Sequence, residues 1–513
     1  MLNARRIIQA TGVVTAITLA YQALGFGEKL LLAYYFGMGI EVDAYLLAFS
    51  IPFFSFIVLS ETVEPALLPT FLSLGEETWR LVRTLGTVLF SGLMLVVGLA
   101  LLLAQPLAAL VAPGFWGEGR SLLVELVRLA VPALVLLGLS TLTTTALHAQ
   151  KRFALPAMGI FVFRLGPLLL FYLWGGVKGL ALGIVMGALG KLALAWGGLR
   201  RTDIFRPSLE LSYPPLRKVG RLAAPLFLGF VLSLLVAPLV DSAFASTLGA
   251  GRVSALIFAK KIVETITTTL PLSLGVVLLP FSSEMALGDK REELRAILRG
   301  SVRGIVLIFA PFTVALLLLA VPVTRLLFER GQFDATSTGL TATALIYYSW
   351  GLIPFSLEVV LARFYYAFSD TLTPVILEFL AFGLNILLIL ALIGSLSLGG
   401  IGLAASLAKG FKVALMFILL RRKVGSLGLR EYLPFLGRVG LATLAMGLAM
   451  GGAREGLGSP IAPLGFLGQM GYLSLTLAAG GVSFLASLFL LRLEEVRAWP
   501  ALWSRPSGSR PNQ

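Results

Sequence analysis

Long apolar runs make up most of the chain, broken at intervals by short stretches of arginine, lysine, glycine and proline. A helix needs about 20 mostly apolar residues to cross the hydrocarbon core of a bilayer. Runs of that kind predict fourteen helices, near 9–36, 43–73, 81–111, 121–148, 154–174, 179–199, 219–248, 253–285, 301–328, 336–368, 372–395, 399–420, 432–453 and 464–491. Several are longer than a bilayer requires, which predicts tilt or extension beyond it. Gly25 and Gly27 lie close together in the first run. They predict a break whose exposed backbone donors could hold an anion, with close helix packing as the other reading. The expected fold is an all-α polytopic membrane protein.

Basic residues cluster in alternate connections: Arg80 and Arg83; Lys151 and Arg152; Arg200 to Lys218; Lys290 to Arg299; Arg421 to Arg430. The intervening connections hold single charges such as Arg120, Lys178 and Arg252. The dense set therefore reads as cytoplasmic, and an even helix count puts both termini there. Arg5 and Arg6 precede an apolar stretch, but no small-residue cleavage site closes it, so a removable signal peptide is not expected.

Short motifs recur in order at a slowly growing offset. Val42-Asp43-Ala44 returns as Val253-Ser254-Ala255, and Leu67-Leu68-Pro69 as Leu278-Leu279-Pro280. Ala149 and Pro156 correspond to Ala367 and Pro374, and Gly176-x-x-Gly179-Leu180-Ala181 to Gly399-x-x-Gly402-Leu403-Ala404. Six helices per repeat give both halves the same topology, related by an axis along the membrane normal. The expected organisation is a six-helix lobe at 1–205, a second at 206–425, an extra helix pair at 426–493 and a disordered cytoplasmic tail at 494–513.

Composition narrows the function. Hydrophobic residues are 58% and charged residues 13%, about half the usual share of charge. There is no cysteine, and His148 is the only histidine, so thiolate chemistry and multi-histidine metal sites are excluded. No GxxxxGK(S/T) loop and no sizeable extramembrane segment is present, which argues against a bound nucleotide and against an enzyme. The net charge of +15 reads as a topology signal rather than a nucleic-acid footprint.

Ionisable residues at membrane depth are costly and usually face an interior or a wet cavity. The first half holds Glu28, Lys29, Asp43, Glu61, Glu64, Arg164 and Lys191; the second holds Asp241, Lys260, Lys261, Glu264, Glu358, Arg363, Glu378, Lys409 and Lys412. Glu28, Lys29, Asp43, Lys260, Lys261 and Arg363 are the candidates for a substrate cavity. Lys260 and Glu264 are four apart, a spacing that also suits a structural ion pair. Asp241 and Asn385 carry oxygens suited to a hard cation such as Na⁺, with hydrogen bonding between helices as the preferred reading. No metal site or cofactor is expected. Transport would draw on Na⁺ or H⁺ coupling or on membrane potential.

Several motifs stand out: Leu24-Gly25-Phe26, Val42-Asp43-Ala44-Tyr45, Ala112-Pro113-Gly114-Phe115 and Arg152-Phe153-x-x-Pro156, then Asp241-x-x-Phe244-Ala245-Ser246. The most specific are Leu327-Phe328-Glu329-Arg330-Gly331-x-Phe333 and Arg363-x-x-Tyr366-Ala367-x-x-Asp370-x-x-Thr373-Pro374. In these the chain resembles the MurJ family of lipid II flippases within the multidrug/oligosaccharidyl-lipid/polysaccharide exporter superfamily. The resemblance implies two lobes plus a final pair, alternating access, and movement of undecaprenyl-pyrophosphate-linked peptidoglycan precursor across the bacterial cytoplasmic membrane. The implied partners are that lipid-linked glycan, the bilayer and the cell-wall synthesis machinery. The sequence departs from the family where first-helix arginines are usual: Gln22 and Glu28 stand there, Phe53 to Phe56 include no arginine, and Lys261 takes another arginine position. Lysine keeps the charge but lacks the two-pronged fork that suits phosphate. Another polyprenyl-linked oligosaccharide as substrate, an ion-coupled drug exporter and a non-transporting envelope scaffold stay open as alternatives.

Overall fold

The computed structural model describes residues 2–74, 77–150, 152–199, 208, 210, 212–217, 219–221, 237–267, 291–368, 370, 372–425, 429–456 and 465–493. They fall into two compact units, Met1–Phe258 with Arg330–Ser337, and Ala259–Glu329 with Thr338–Gln513. Every described element of regular structure is helical.

The first unit contains α1 (Leu2–Phe36), α2 (Ile40–Leu74), α3 (Thr78–Leu102), α4 (Ala104–Val111), α5 (Gly117–Ala130), α6 (Ala133–Ala149), α7 (Ala154–Trp174), α8 (Gly176–Leu199) and α9 (Ala237–Ser246). It also holds the start of α10, helical over 252–267. Leu67, Phe71, Leu81, Val82, Leu142, Leu147 and Leu199 form a core that joins α2, α3, α6 and α8. α7 and α8 pack backbone to backbone. A Cβ added at Gly166 would run into the backbone of Gly183 and Gly187, and one at Gly187 into that of Phe163. Small residues let backbones meet in this way where lipid offers no hydrophobic drive between helices.

The second unit contains the rest of α10, then α11 (Arg291–Phe328), most of α12 (Ala335–Ser349), α13 (Leu352–Ala367), α14 (Leu372–Leu396), α15 (Leu398–Val424), α16 (Leu429–Gly456) and α17 (Phe466–Leu490). α11 has 38 residues, about 57 Å at 1.5 Å per residue, so it outruns the roughly 30 Å hydrocarbon core. Its Leu319 and Ala315 pack with Phe435, Ala442 and Met450 of α16 and Tyr472 and Phe484 of α17. The final pair is thereby seated on α11. Its far sides carry exposed Leu441, Leu444, Leu448, Leu475, Leu485 and Phe489, as a lipid-facing surface does.

Among the described residues, ten helical segments are long and apolar enough to cross a bilayer, and eleven if α12 and α13, bent by 48°, form one span. The expected segments near 219–248 and 253–285 lie partly outside the described residues, and the tail at 494–513 lies wholly outside them. Three expected single helices are divided: α3 from α4 at Leu103, α5 from α6 at Val131 and Pro132, and α12 from α13 at Trp350 and Gly351. Of the two readings of the glycine pair, the helix break is absent and close packing holds at Gly25. α1 runs unbroken through Gly25 and Gly27. Gly25 is instead a close-packing position, where an added Cβ would stand 3.3 Å from the Arg164 guanidinium.

Candidate functional site

In the first unit a charged cluster lies where apolar helices would otherwise meet. Glu28 on α1 is fully buried, and Lys29 and Arg164 are 6% and 7% exposed. Arg164 of α7 donates from Nη1 to Glu28 Oε2 at 2.5 Å. Lys29 Nζ donates to Glu28 Oε1 at 3.3 Å, and the Tyr45 hydroxyl of α2 donates to the same oxygen at 3.1 Å. Two cations and a phenol therefore converge on one carboxylate. Aromatic faces complete the surroundings: the Arg164 guanidinium lies 5.2 Å from the Tyr21 ring centre, 5.4 Å from Phe49 and 5.6 Å from Phe53. Such faces attract a desolvated cation. The Arg164 Nε is buried without a hydrogen-bond partner.

Sequence reasoning placed Glu28 and Lys29 in a site but left Arg164 out of it. The two partners are separated by 136 residues, and no local spacing links them. Gly25, one turn before Glu28 on the same helix, was the available signal, because a glycine there leaves room for a large planar group.

Asp43 has a different role in its surroundings. Its Oδ2 accepts from the Gly251 amide at 2.8 Å and its Oδ1 from the Ser254 amide at 2.7 Å. It thus caps the first turn of α10, where free backbone donors and the helix dipole favour a carboxylate. Gly251 takes φ +77, and a Cβ added there would stand 3.1 Å from the Met38 carbonyl oxygen. Asp43 and Ser254 occupy matching places in the two repeated motifs, so the start of α2 binds the start of its repeat counterpart. Nearby, Gly331 at φ +63 faces the Tyr34 carbonyl, which accepts from the Gln332 amide at 2.9 Å.

A third group in this unit contains the single histidine. His148 Nδ1 lies 2.5 Å from Glu64 Oε1, and Lys191 Nζ stands 3.6 Å from the Phe56 ring centre. Asp241, on α9, is buried in this same unit.

The second unit holds Lys260, Lys261, Arg363 and Asn385. Lys260 and Lys261 are partly exposed on α10. The Lys260–Glu264 pair suggested by their spacing is not formed. Arg363, on α13, is also partly exposed, with a buried Nε that lacks a partner. Asn385 is buried on α14. This unit also assembles four charges that sequence reasoning left unpaired. Lys409 Nζ of α15 lies 2.9 Å from Glu358 Oε2 of α13 and 3.2 Å from Glu378 Oε1 of α14, and Lys412 contacts both carboxylates as well. Lys409 and Lys412 are three apart on one helix face, a spacing that made a shared partner readable.

The two most specific family motifs form loops. Glu329 accepts from Arg325 Nε at 3.0 Å and from the Thr338 hydroxyl at 2.6 Å, joining α11 to α12. Asp334 caps α12 through the Ser337 amide at 2.8 Å, and hydrogen bonds from Ser337 hold its carboxyl below the usual value. Asp370 accepts from the Thr373 amide at 3.0 Å and hydroxyl at 2.7 Å, with Lys423 Nζ at 3.0 Å. Burial alone would raise Asp370, but those donors outweigh it and lower it.

The family model described as "Lipid II flippase MurJ" matches residues 32–458. The lipid II flippase MurJ of Burkholderia cenocepacia is 28% identical over 391 residues, covering 72% of this chain and 75% of its own length. A probable lipid II flippase MurJ of Synechocystis is 27% identical over 479 residues, covering 86% and 87%. Among solved structures, a lipid II flippase MurJ in an inward closed conformation matches with TM-score 0.79 at 19% identity, covering 95% of this chain and 99% of that one. An inward-facing multidrug resistance MATE family transporter of the MOP superfamily matches with TM-score 0.65 at 13% identity, covering 80% and 95%. At these identities the structural matches establish the fold, and the family model establishes kinship across most of the sequence. The chain is a multi-pass membrane protein that belongs to the MurJ family of lipid II flippases.

Proposed function

We propose that this protein moves lipid II, a polyprenyl-pyrophosphate-linked peptidoglycan precursor, from the cytoplasmic to the outer leaflet by alternating access. The family match over residues 32–458 carries this reading. The charge distribution supports it. A pyrophosphate needs buried cations in a surrounding that weakens water's competition, and Arg164 and Lys29 meet that need around Glu28. In this reading Glu28, at a position where the family usually has an arginine, holds the two cations in place, and the more highly charged pyrophosphate displaces it. Arg164 supplies the planar fork missing from α1.

The remaining candidates take supporting roles in the same proposal. Asp43 fixes the start of α10, and Lys260, Lys261 and Arg363 supply positive charge in the second unit. Asp241 and Asn385 are the residues proposed for a coupling cation, with Na⁺, H⁺ or membrane potential as the driving force. In this reading both termini lie in the cytoplasm of a bacterial cell, which the basic residues of alternate connections support, and the prenyl tail stays in lipid while the headgroup crosses.

The test is to deplete the native flippase in a bacterium and express this chain. Restored lipid II on the outer leaflet is the expected result. Good expression without restoration excludes lipid II as substrate. Arg164→Lys should restore less than the parent, since it keeps the charge and loses the fork.

A further inference from the structure

A groove of about 740 Å³ lies between α4 and α5 in the first unit. Its polar lining includes Gln105 of α4 and Arg120, Ser121, Glu125 and Arg128 of α5. The Arg120 guanidinium lies 4.5 Å from the ring centre of Trp116, whose side chain is largely exposed. The Arg120 Nε is buried with no hydrogen-bond partner, and among the described residues Arg128 has neither an ion pair nor a side-chain hydrogen bond. The carboxylate in the lining, Glu125, is engaged by Lys178 Nζ of α8 at 2.7 Å. The groove therefore presents two arginines while its acid is neutralised from outside.

Its depth identifies the kind of anion. The segment Gly117–Ala149 has 33 residues, and the hydrocarbon core takes up roughly 20. Counting back from Ala149, next to basic Arg152, the far boundary of the core falls near Arg128. Arg120 stands two turns further out, about 12 Å along the helix. On this count the groove falls at the level of lipid headgroups. Leu102 and Leu103 at the α3–α4 joint and Leu110 on α4 are exposed beside it, giving acyl chains an apolar wall.

We propose that this groove binds the phosphate headgroup of an anionic membrane lipid, with the arginines on the phosphate and Gln105 and Ser121 on neighbouring polar groups. The chemistry is that of a phosphodiester. A bilayer lipid supplies it here, because a free anion would gain nothing from the adjoining leucines. The assignment to the outer leaflet rests on the orientation given above; the binding itself does not.

The experiment uses the full chain in nanodiscs of phosphatidylcholine, titrated with phosphatidylglycerol, with retained lipid counted by native mass spectrometry. Retention of phosphatidylglycerol over phosphatidylcholine is expected. Arg128→Gln should weaken it about tenfold, the loss of one charge-assisted contact. Glu125→Gln should strengthen it, a change of sign that a merely structural role would not give. Equal unfolding temperatures for variants and parent establish that folding is intact. Unchanged retention in the Arg120→Gln/Arg128→Gln double variant overturns the proposal. So does equal stabilisation by inorganic phosphate, which would mark a free-anion site. Since binding is read without transport, a negative result here leaves the flippase reading standing, and a failed complementation leaves this one standing.

Discussion

The two units bury charge in opposite ways. In the first, Arg164 and Lys29 converge on one carboxylate, Glu28, inside a wall of Tyr21, Phe49 and Phe53. In the second, Lys409 and Lys412 face Glu358 and Glu378, two against two. The balanced group ties α13, α14 and α15 together, and each member keeps a second partner if one is lost. In the cluster around Glu28 a single carboxylate serves both cations. On the proposed reading the Glu28 cluster exchanges with a visiting anion, whereas the quartet fastens its helices. Charges held between helices are thus not one class: one carboxylate is shared by two cations in the first unit, and two carboxylates balance two lysines in the second.

The largest expected effect tests the single-carboxylate side of this contrast. Glu28→Gln leaves Arg164 and Lys29 buried beside an uncharged group and should destabilise the protein by about 3–5 kcal/mol, read by thermal unfolding in detergent. A drop below about 1 kcal/mol would show that the cluster is already wet and balanced by water. Next comes Lys409→Met. Lys412 still contacts both carboxylates, so the loss should be smaller, roughly 1.5–3 kcal/mol. If it exceeds that of Glu28→Gln, the contrast between the units fails.

Each unit also has a carboxylate that caps a helix, and these serve as matched controls. Asp43→Ala and Asp370→Ala should each cost about 0.5–2 kcal/mol, with Asp43 at the upper end because it is fully buried and accepts two amides. The smallest effect is the pH dependence of Asp370. Its folded value is lowered, so its contribution is present above the unfolded value of about 3.9 and is lost as pH falls through the lower folded value. The gap in unfolding temperature between parent and Asp370→Asn should therefore close only below about pH 4. A gap that closes near neutrality would point to another group.

Much of the fold was legible because span length and apolar composition are local properties. Helices at Ala154–Trp174 and Leu372–Leu396 fall where the apolar runs begin and end. The joints at Leu103 and at Trp350–Gly351 were hidden, because the apolar runs continue through them and only backbone direction changes. Gly25 left two readings open for a related reason. A glycine pair looks the same whether a helix breaks or a neighbour crowds it, and here the neighbour is the Arg164 guanidinium. The Glu28–Arg164 contact was beyond local reading, since which helices touch is decided by tertiary packing. Family resemblance located the important loops, while their physical content (caps at Asp334 and Asp370, and the Glu329 bridge) emerged from side-chain geometry.

The glycine seam between α7 and α8 sets a mechanical limit. With Gly166, Gly183 and Gly187 bringing main chain against main chain, no rotamers stand between the helices at those three positions to yield under load. Sliding would drive one backbone past another, so the two helices travel as a single stiff stave through any cycle of opening and closing. Compliance must then reside at jointed places such as the α12–α13 bend, and a methyl group added to the seam should slow the whole cycle without touching a single charge.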